Sequence, residues 1–263
     1  MADNNVLINI ENIKIPDSVD TVIGNLTDKT SATIGQVLSD CFYLVFGGIS
    51  QKAALKREKY NHELKRFVKE LEEKIEQIPD DKRLEPDLHT VCTALDNMRF
   101  CIEEPELRKM FSSLIANSIN EDRASEVHPS YGEIIKQLTP FDAIVFDWLN
   151  HREVIPALRI KIDLNEKMEF VMGRYIYLEN MFENKDKLKI ALENLSRLKL
   201  IDLDFEKQFA NKKVYDVIIN SDDLKIDKKE LETQIKDKQE VSYLYGFVEI
   251  TSFGKQFYRA CSY

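Results

Sequence analysis

The sequence is poor in residues that form tight turns and cross-links, with 8 glycines, 7 prolines and 4 cysteines among 263 residues. So little glycine and proline argues against a sheet protein with many turns and favours long, solvated helices. The cysteines lack the CxxC spacing of a zinc ribbon or a redox motif. They stand far apart, mostly among apolar neighbours, and we expect buried free thiols at Cys41, Cys92, Cys101 and Cys261.

Motifs of the common enzyme active sites are missing as well. No GxGxxG, Walker loop or GxSxG elbow occurs, so nucleotide binding and the commonest hydrolase chemistry lack support. No metal-ligand spacing such as HExxH relates the four histidines, His62, His89, His128 and His151. The adjacent carboxylates Glu103 and Glu104 precede a predicted helix, where a capping role explains them. We therefore predict a protein that is not an enzyme, with no cofactor and no metal site.

The sequence also lacks an excess of basic residues, because 37 lysines and arginines stand against 46 acidic residues, which gives a net charge of −9. A nucleic-acid coat needs many cations to neutralise phosphates, so this balance argues against such a role, although a local basic patch is compatible with it. No basic segment followed by an apolar run opens the sequence. We therefore expect no secretory signal and a cytoplasmic location.

No apolar segment reaches the length of about 20 residues that a stable membrane span needs. The most apolar segment, residues 33–49, reads TIGQVLSDCFYLVFGGI and is interrupted by Gln36 and Asp40. We predict a buried helix that ends at Gly47-Gly48, because paired glycines stop or hinge a helix. The alternative is a membrane-active effector in which residues 33–49 insert into a bilayer. A short helix is also predicted at about 17–27.

Helical periodicity is what the sequence has in abundance. Residues 51–78 place apolar side chains three and four positions apart, which predicts a long amphipathic helix. Its narrow seam consists of Tyr60, Leu64, Phe67, Leu71, Ile75 and Ile78. Further helices are predicted at about 87–100, 104–119 and 130–138. We expect the seam to pack against the helices at 87–100 and 104–119, with a homodimer through the same seam as the alternative.

The pattern changes near Leu138, where a helix capped by Thr139 begins a second domain. Helices are predicted at about 165–181 and 186–199. Three strand candidates, LIDLDF, VYDVII and YGFVEI, and a closing helix after Thr251 follow them. This is the order of a winged helix-turn-helix module. The predicted fold class is therefore mainly α, with an N-terminal helical bundle followed by a winged-helix-like α+β module.

Two domains follow from this change of pattern. The predicted boundaries are 1–137 for a helical domain that holds the long amphipathic helix and 138–263 for the winged-helix-like domain. Within the second domain, the segment SDDLKIDKKELETQIKDKQE has 12 charged residues in 20. A segment so rich in charge belongs in water, and we predict an elaborated wing or a solvated helix at about 221–240.

The helix predicted at 186–199 occupies the place of a recognition helix in a winged helix-turn-helix. Its basic side chains can meet DNA phosphates or base edges. Acidic residues on the same helix, and Asp202 and Asp204 on the strand after it, favour a protein-binding face instead. The residues predicted to contact a partner, whether protein or nucleic acid, are Lys187, Lys189, Arg197 and Lys199.

Five segments of the sequence resemble the Abi-alpha family, a set of bacterial proteins named for abortive infection. They are LVFGGI at 44–49, ELKRFVKELEEKIEQIP at 63–79, EPELRKMFSSLIANSI at 104–119, HPSYGEIIKQLTPFDA at 128–143 and ITSFGKQFYRAC at 250–261. Their order and spacing cover most of the chain. The resemblance implies a role in bacterial defence against phage, and it supplies no catalytic residues.

The residues and the resemblance together predict a non-enzymatic interaction protein that acts in anti-phage defence by abortive infection, as a sensor, adaptor or toxin component. Its expected partner is a protein of the host or the phage. A DNA-binding winged-helix regulator is the first alternative, and the membrane-active effector that uses residues 33–49 is the second. Nucleic acid is thus an open but less favoured partner.

Overall fold

The computed structural model describes residues 32–46, 54–152, 154–165, 168–176, 185–234 and 241–262. The short helix predicted at about 17–27, and the glycine pair predicted to end the apolar helix, lie outside these residues. The chain is mostly helical, as predicted, with one antiparallel sheet. It divides into two compact units, of which the first is Met1–Pro140 with Arg259–Tyr263 and the second is Phe141–Tyr258.

Helices make up the first unit over its described residues. They are α1 (Ala32–Phe46), α2 (Ala54–Glu76), α3 (Leu88–Met98), α4 (Pro105–Ile119) and α5 (Tyr131–Lys136). Helix α3 begins after Asp87, whose carboxylate accepts hydrogen bonds from the N–H and the hydroxyl of Thr90 at 2.8 and 2.9 Å. These bonds lower the pKa of the Asp87 carboxyl. Helix α4 begins at Pro105, because the fixed φ of proline suits the first helical position.

The predicted apolar seam of α2 lies inside the first unit. Its central residues Leu64, Phe67 and Leu71 are at most 1% exposed. Helix α2 packs along α4, while α3 packs against α1, α4 and α5. The central part of the seam is therefore buried within the chain, and α4 is confirmed as one of its two expected neighbours. The alternative of a homodimer stays a prediction.

The expectation of four free thiols is wrong for two of the cysteines. Cys41 on α1 and Cys92 on α3 form a disulfide, with their Cα atoms 5.0 Å apart. Cys101 and Cys261 are free and buried, as predicted. The two bonded cysteines are 51 positions apart in the sequence. Spacing cannot reveal such a pair, because disulfide formation depends on the distance between Cα atoms in the folded chain.

A buried ion cluster joins α2 to α4. Arg108 is 4% exposed, and its guanidinium donates to Glu63 at 2.6 Å from Nη1 and to Glu70 at 2.9 Å from Nη2. The Nε atom also donates to Glu70, and Nη1 makes a second bond to the carbonyl of Ile102 at 3.1 Å. Each nitrogen of the guanidinium therefore has an oxygen partner, which offsets the loss of hydration of the charge.

The second unit is built on a four-stranded antiparallel sheet in the order β2-β1-β4-β3. The strands are β1 (Val154–Asn165), β2 (Met168–Ile176), β3 (Ile201–Asp204) and β4 (Val241–Ile250). The helices of this part of the chain are α6 (Pro140–Asn150), α7 (Lys185–Arg197), α8 (Asp216–Ile219), α9 (Asp222–Gln234) and α10 (Ser252–Cys261). The strands predicted in LIDLDF and YGFVEI and the helix after Thr251 are confirmed.

The helix predicted at about 165–181 is wrong for its described residues, 165 and 168–176. Strands β1 and β2 pair there instead, with Ala157 opposite Ile176 and Asn165 opposite Met168. The signal was present in RIKID at 159–163, where apolar and charged residues alternate as they do along a strand. The β-branched and aromatic residues of FVMGRYI also suit a pleated sheet better than a helix, where they lose rotamer freedom.

The strand predicted in VYDVII is wrong as well, because these residues form a 3₁₀ turn and α8. The fully buried Tyr215 anchors this segment, since its hydroxyl donates to the Gly246 carbonyl at 3.0 Å and accepts the Phe209 N–H at 3.0 Å. A side chain rather than strand pairing thus binds the segment to the sheet. The charged insert forms α9, so the solvated helix is confirmed within residues 222–234, with Leu224 buried.

Replacement of Arg108 by alanine should destabilise the first unit by about 3–5 kcal/mol, because the carboxylates of Glu63 and Glu70 would lose their cation away from bulk water. Arg66→Ala is the matched control. Arg66 also pairs with Glu63, at 3.2 Å, but its side chain is 55% exposed, and surface pairs contribute at most about 1 kcal/mol. Urea unfolding followed by circular dichroism measures both losses, and equal losses would contradict this role of Arg108.

Candidate interaction surface

Helix α7 is buried on one side and exposed on the other. Its buried face, at most 6% exposed, consists of Leu188, Ala191, Leu192 and Leu195. The spacing of three and four residues places these side chains on one side of the helix, which packs against β3. The Asn194 amide also donates to the buried Asp142 carboxylate of α6 at 2.9 Å, and this bond fixes the rotation of α7.

The opposite side of α7 forms an exposed ridge, defined by Asp186, Ile190, Glu193 and Arg197. These positions follow one another at spacings of three and four, so they line up along the helix. Ile190 stands in the middle and is 66% exposed. The ridge therefore presents one large apolar side chain among charges of both signs. This mixed composition differs from that of a phosphate-binding face, whose charged residues are mainly basic.

The structure spreads the four predicted contact residues around α7 and the turn after it. All four are exposed. Lys187 and Lys189 are two positions apart, which separates them by about 200° around the helix axis. Lys189 also lies 3.9 Å from the Asp186 carboxylate. The four basic residues therefore do not form one continuous basic face, and Glu193 on the ridge interrupts them further.

The turn after α7 holds Lys199 in a left-handed backbone conformation, with a φ of 60°. The Leu200 N–H bonds to the Leu195 carbonyl and the Lys199 N–H to the Ser196 carbonyl, both at 3.0 Å. This pair of bonds is the Schellman motif, which usually has glycine at the left-handed position. A Cβ there costs about 1 kcal/mol. Among the described residues, Lys199 is the one non-glycine residue with a positive φ.

Residues at the start of α10 hold the Lys199 turn in place. The Thr251 hydroxyl donates to the Lys199 carbonyl at 2.6 Å and accepts the Gly254 N–H at 2.8 Å. One side chain thus caps α10, as predicted, and also binds the turn. Gly254 is required because an added Cβ would overlap the Leu200 carbonyl oxygen. The N-terminal residues of α10 therefore hold the backbone of Lys199 in place.

Strand β3 adds acidic side chains directly after the turn. Asp202 is exposed. Asp204 accepts a hydrogen bond from the ammonium of Lys207 at 3.0 Å. That bond lowers the pKa of the Asp204 carboxyl and raises the pKa of Lys207. Asp202 lies three positions after Lys199, and its exposed negative charge weakens the attraction between the turn and a polyanion.

Three of the polar residues considered for chemistry, Glu103, Glu104 and His128, lie in an ion pair, at a helix N-cap and in a turn. Glu103 forms a surface ion pair with Lys59 at 2.5 Å, and Glu104 is the N-cap residue of α4 without a side-chain cap hydrogen bond. The expected side-chain capping is therefore not observed. His128 accepts the Ser130 N–H on Nδ1 at 3.1 Å within a turn. Across the described part of the chain, no three His, Cys, Asp or Glu side chains are close enough to share a metal ion.

The fold and this surface define a mostly helical protein of two compact units, the second of which carries an exposed helical ridge followed by a basic turn. The chain belongs to the abortive infection alpha family, Abi_alpha, whose family model matches residues 59–261. The resemblance seen in the sequence is thereby confirmed. No curated protein and no solved structure matches the chain.

Sequence reasoning found α7 and its basic residues but missed three features of the surface. The exposure of Ile190 could have been found, because this residue falls outside the spacing of the leucines on the buried face. The left-handed backbone of Lys199 has no signal in the sequence, where glycine would have been expected. The contact between Thr251 and Lys199 joins residues 52 positions apart, which local patterns do not reveal.

Replacement of Lys199 by glycine should stabilise the second unit by about 0.5–1 kcal/mol, because glycine adopts a positive φ without the steric cost of a Cβ. Lys199→Ala is the matched control, since it removes the same side chain but keeps the Cβ, and it should give no gain. Unfolding in guanidinium chloride measures both free energies. An equal gain in the two variants would show that the left-handed backbone is not the source of the strain.

Proposed function

We propose that the chain acts in abortive infection as a non-enzymatic interaction protein, a sensor, adaptor or toxin component that binds a host or phage protein through the ridge of α7. The family relationship supports the biological role. The observation that carries the mode of action is Ile190, which is 66% exposed at the centre of the ridge. An apolar centre with a polar rim is the usual composition of a protein interface.

The rigid support of the ridge adds to this proposal. Helix α7 is fixed by its buried leucines, by the bond from Asn194 to Asp142, and by the turn that Thr251 holds. A surface that is ordered before binding loses little conformational entropy when a partner arrives. The charges on the ridge then select the partner, because like charges in an interface are costly.

A DNA-binding winged-helix regulator is the second candidate. The strand order favours it, since β4 lies between β1 and β3 and α7 directly precedes β3, as a recognition helix precedes a wing. Two observations weigh against it. Strands β1 and β2 take the place of most of the helix predicted at 165–181, and Lys187 and Lys189 lie on different sides of α7. We therefore rank DNA binding below protein binding.

The membrane-active effector has the least support of the three. Helix α1 contributes Leu38 and Phe42, both 0% exposed, to the core of the first unit. Insertion of residues 33–49 into a bilayer would therefore expose the helices that α1 covers. In the described ranges, no helix combines the length and the apolar character that a membrane crossing requires. Release of dye from anionic vesicles on addition of the protein would support this candidate.

Infection of cells that carry the gene and its neighbours should lower phage yield while the infected cells die, when plaques and host survival are scored separately. Ile190→Asp should abolish this protection, because a charge at the centre of the ridge would be buried unpaired in the interface. Ile226→Asp on α9 is the matched control, since Ile226 is 62% exposed. Protection that both variants lose, or that both retain, would contradict a role of the ridge.

Electrophoretic mobility shifts at low salt distinguish the two leading candidates. We expect no tight DNA binding by the unmodified chain. If DNA binding is the function, replacement of Lys187, Lys189 and Arg197 by glutamate should weaken it by at least about tenfold. Each phosphate contact that is lost also loses the favourable release of counterions from the DNA. Tight binding that this triple variant loses would replace the first candidate with the second.

A further inference from the structure

The Cys41–Cys92 disulfide joins one helix to the remainder of the first unit. Cys41 lies on α1 and Cys92 on α3, at a Cα separation of 5.0 Å and a sequence separation of 51. The other two cysteines, Cys101 and Cys261, are free and buried. The chain therefore contains one bonded pair together with two thiols that serve as internal controls.

Among the described residues, the buried side chains of α1 lie on one face of the helix. The buried side chains of that face, at most 2% exposed, are Ile34, Leu38, Phe42 and Phe46. The ring of Phe42 lies 6.4 Å from that of Phe67 on α2, and the helix packs mainly against α3. On the outer face, Leu44 is 72% exposed. Without the disulfide, α1 depends on the apolar contacts of this face for its position beside α3, and its release would uncover apolar surface on α3.

The two bonded cysteine residues differ in their exposure to solvent. Cys41 is 0% exposed, whereas Cys92 is partly exposed. A thiolate of a dithiol reductant therefore attacks the Cys92 sulfur, the S–S bond breaks, and the Cys41 sulfur leaves with the electron pair and takes up a proton. The second thiol of the reductant then displaces the Cys92 sulfur, which also becomes a thiol. The protein gains two electrons and two protons, and the reductant becomes a disulfide.

We propose that Cys41 and Cys92 form a thiol–disulfide switch that controls the attachment of α1 to the helical bundle. In the oxidised form, the bond keeps α1 beside α3 even when its apolar contacts open. In the reduced form, α1 opens separately and exposes the surface that it shares with α3. Such a pair follows the thiol–disulfide balance of its compartment, because dithiols reduce it and a disulfide, which is itself reduced to two thiols, closes it again by the reverse exchange. The switch does not depend on the role proposed for α7.

Hydrogen–deuterium exchange of the full chain, oxidised and after treatment with dithiothreitol, tests the switch. Mass spectrometry of alkylated peptides first establishes whether the Cys41–Cys92 bond is closed in the oxidised sample. We expect the amides of α1 to exchange on the order of a hundredfold faster in the reduced sample, because a cross-link across so long a loop restricts local opening. The amides of α9 should exchange equally in both samples.

Two double variants sharpen the comparison. Cys41→Ala with Cys92→Ala should exchange like the reduced natural chain under both conditions. Cys101→Ala with Cys261→Ala keeps the pair and should respond to dithiothreitol as the natural chain does. The proposal is overturned if the Cys41–Cys92 bond is absent from the oxidised sample, or if α1 exchanges at one rate in both redox states. The natural chain is compared with itself, so a variant that fails to fold leaves the test intact.

Discussion

Removal of a guanidinium from water costs several kcal/mol unless its donors are paired, and this constraint governs how α2 meets α4. Arg108 satisfies it with Glu63 and Glu70, which lie about two turns apart on the same side of α2. Apolar contacts alone tolerate some sliding of one helix along another. The paired charges do not, because a shift by one turn would leave a carboxylate without its cation. The alignment that buries Phe67 and Leu71 is therefore the one that the ion cluster selects.

Helix α4, which is aligned with α2 by the ion cluster, also contacts the C-terminal residues of α10. It packs against α2, α3 and α5, and its residues from Leu107 to Ile119 are buried except for Lys109. Near its C-terminal end, the Asn117 amide donates to the Ala260 carbonyl at 2.9 Å. The described residues 259–262 belong to the first unit, although the helix that contains Arg259 begins in the second. A boundary drawn only from periodicity near residue 138 does not anticipate this return of the chain.

The helices could be predicted from the sequence because their apolar spacing is a local property. The seam of α2 and the proline at the start of α4 each lie within a few residues of sequence. Contacts between distant residues could not be predicted. The partners of Arg108 are 38 and 45 positions away, and Ile160 of β1 pairs with Tyr243 of β4. Thr251 shows both cases, since its cap on α10 is local and was predicted, whereas its bond to Lys199 is not local and was missed.

The extent of the family match separates two parts of the molecule. The match begins at residue 59, so α7 and its turn lie inside it, whereas α1 and Cys41 lie before it. The disulfide crosses this limit, because Cys92 lies inside the matched region. A role common to the family must be carried by matched residues, which fits the ridge of α7. Cys41 and Cys92 both lie in the first unit, so reduction of their disulfide breaks no covalent bond of the second unit. A response of α1 to reduction therefore requires no change in the ridge of α7.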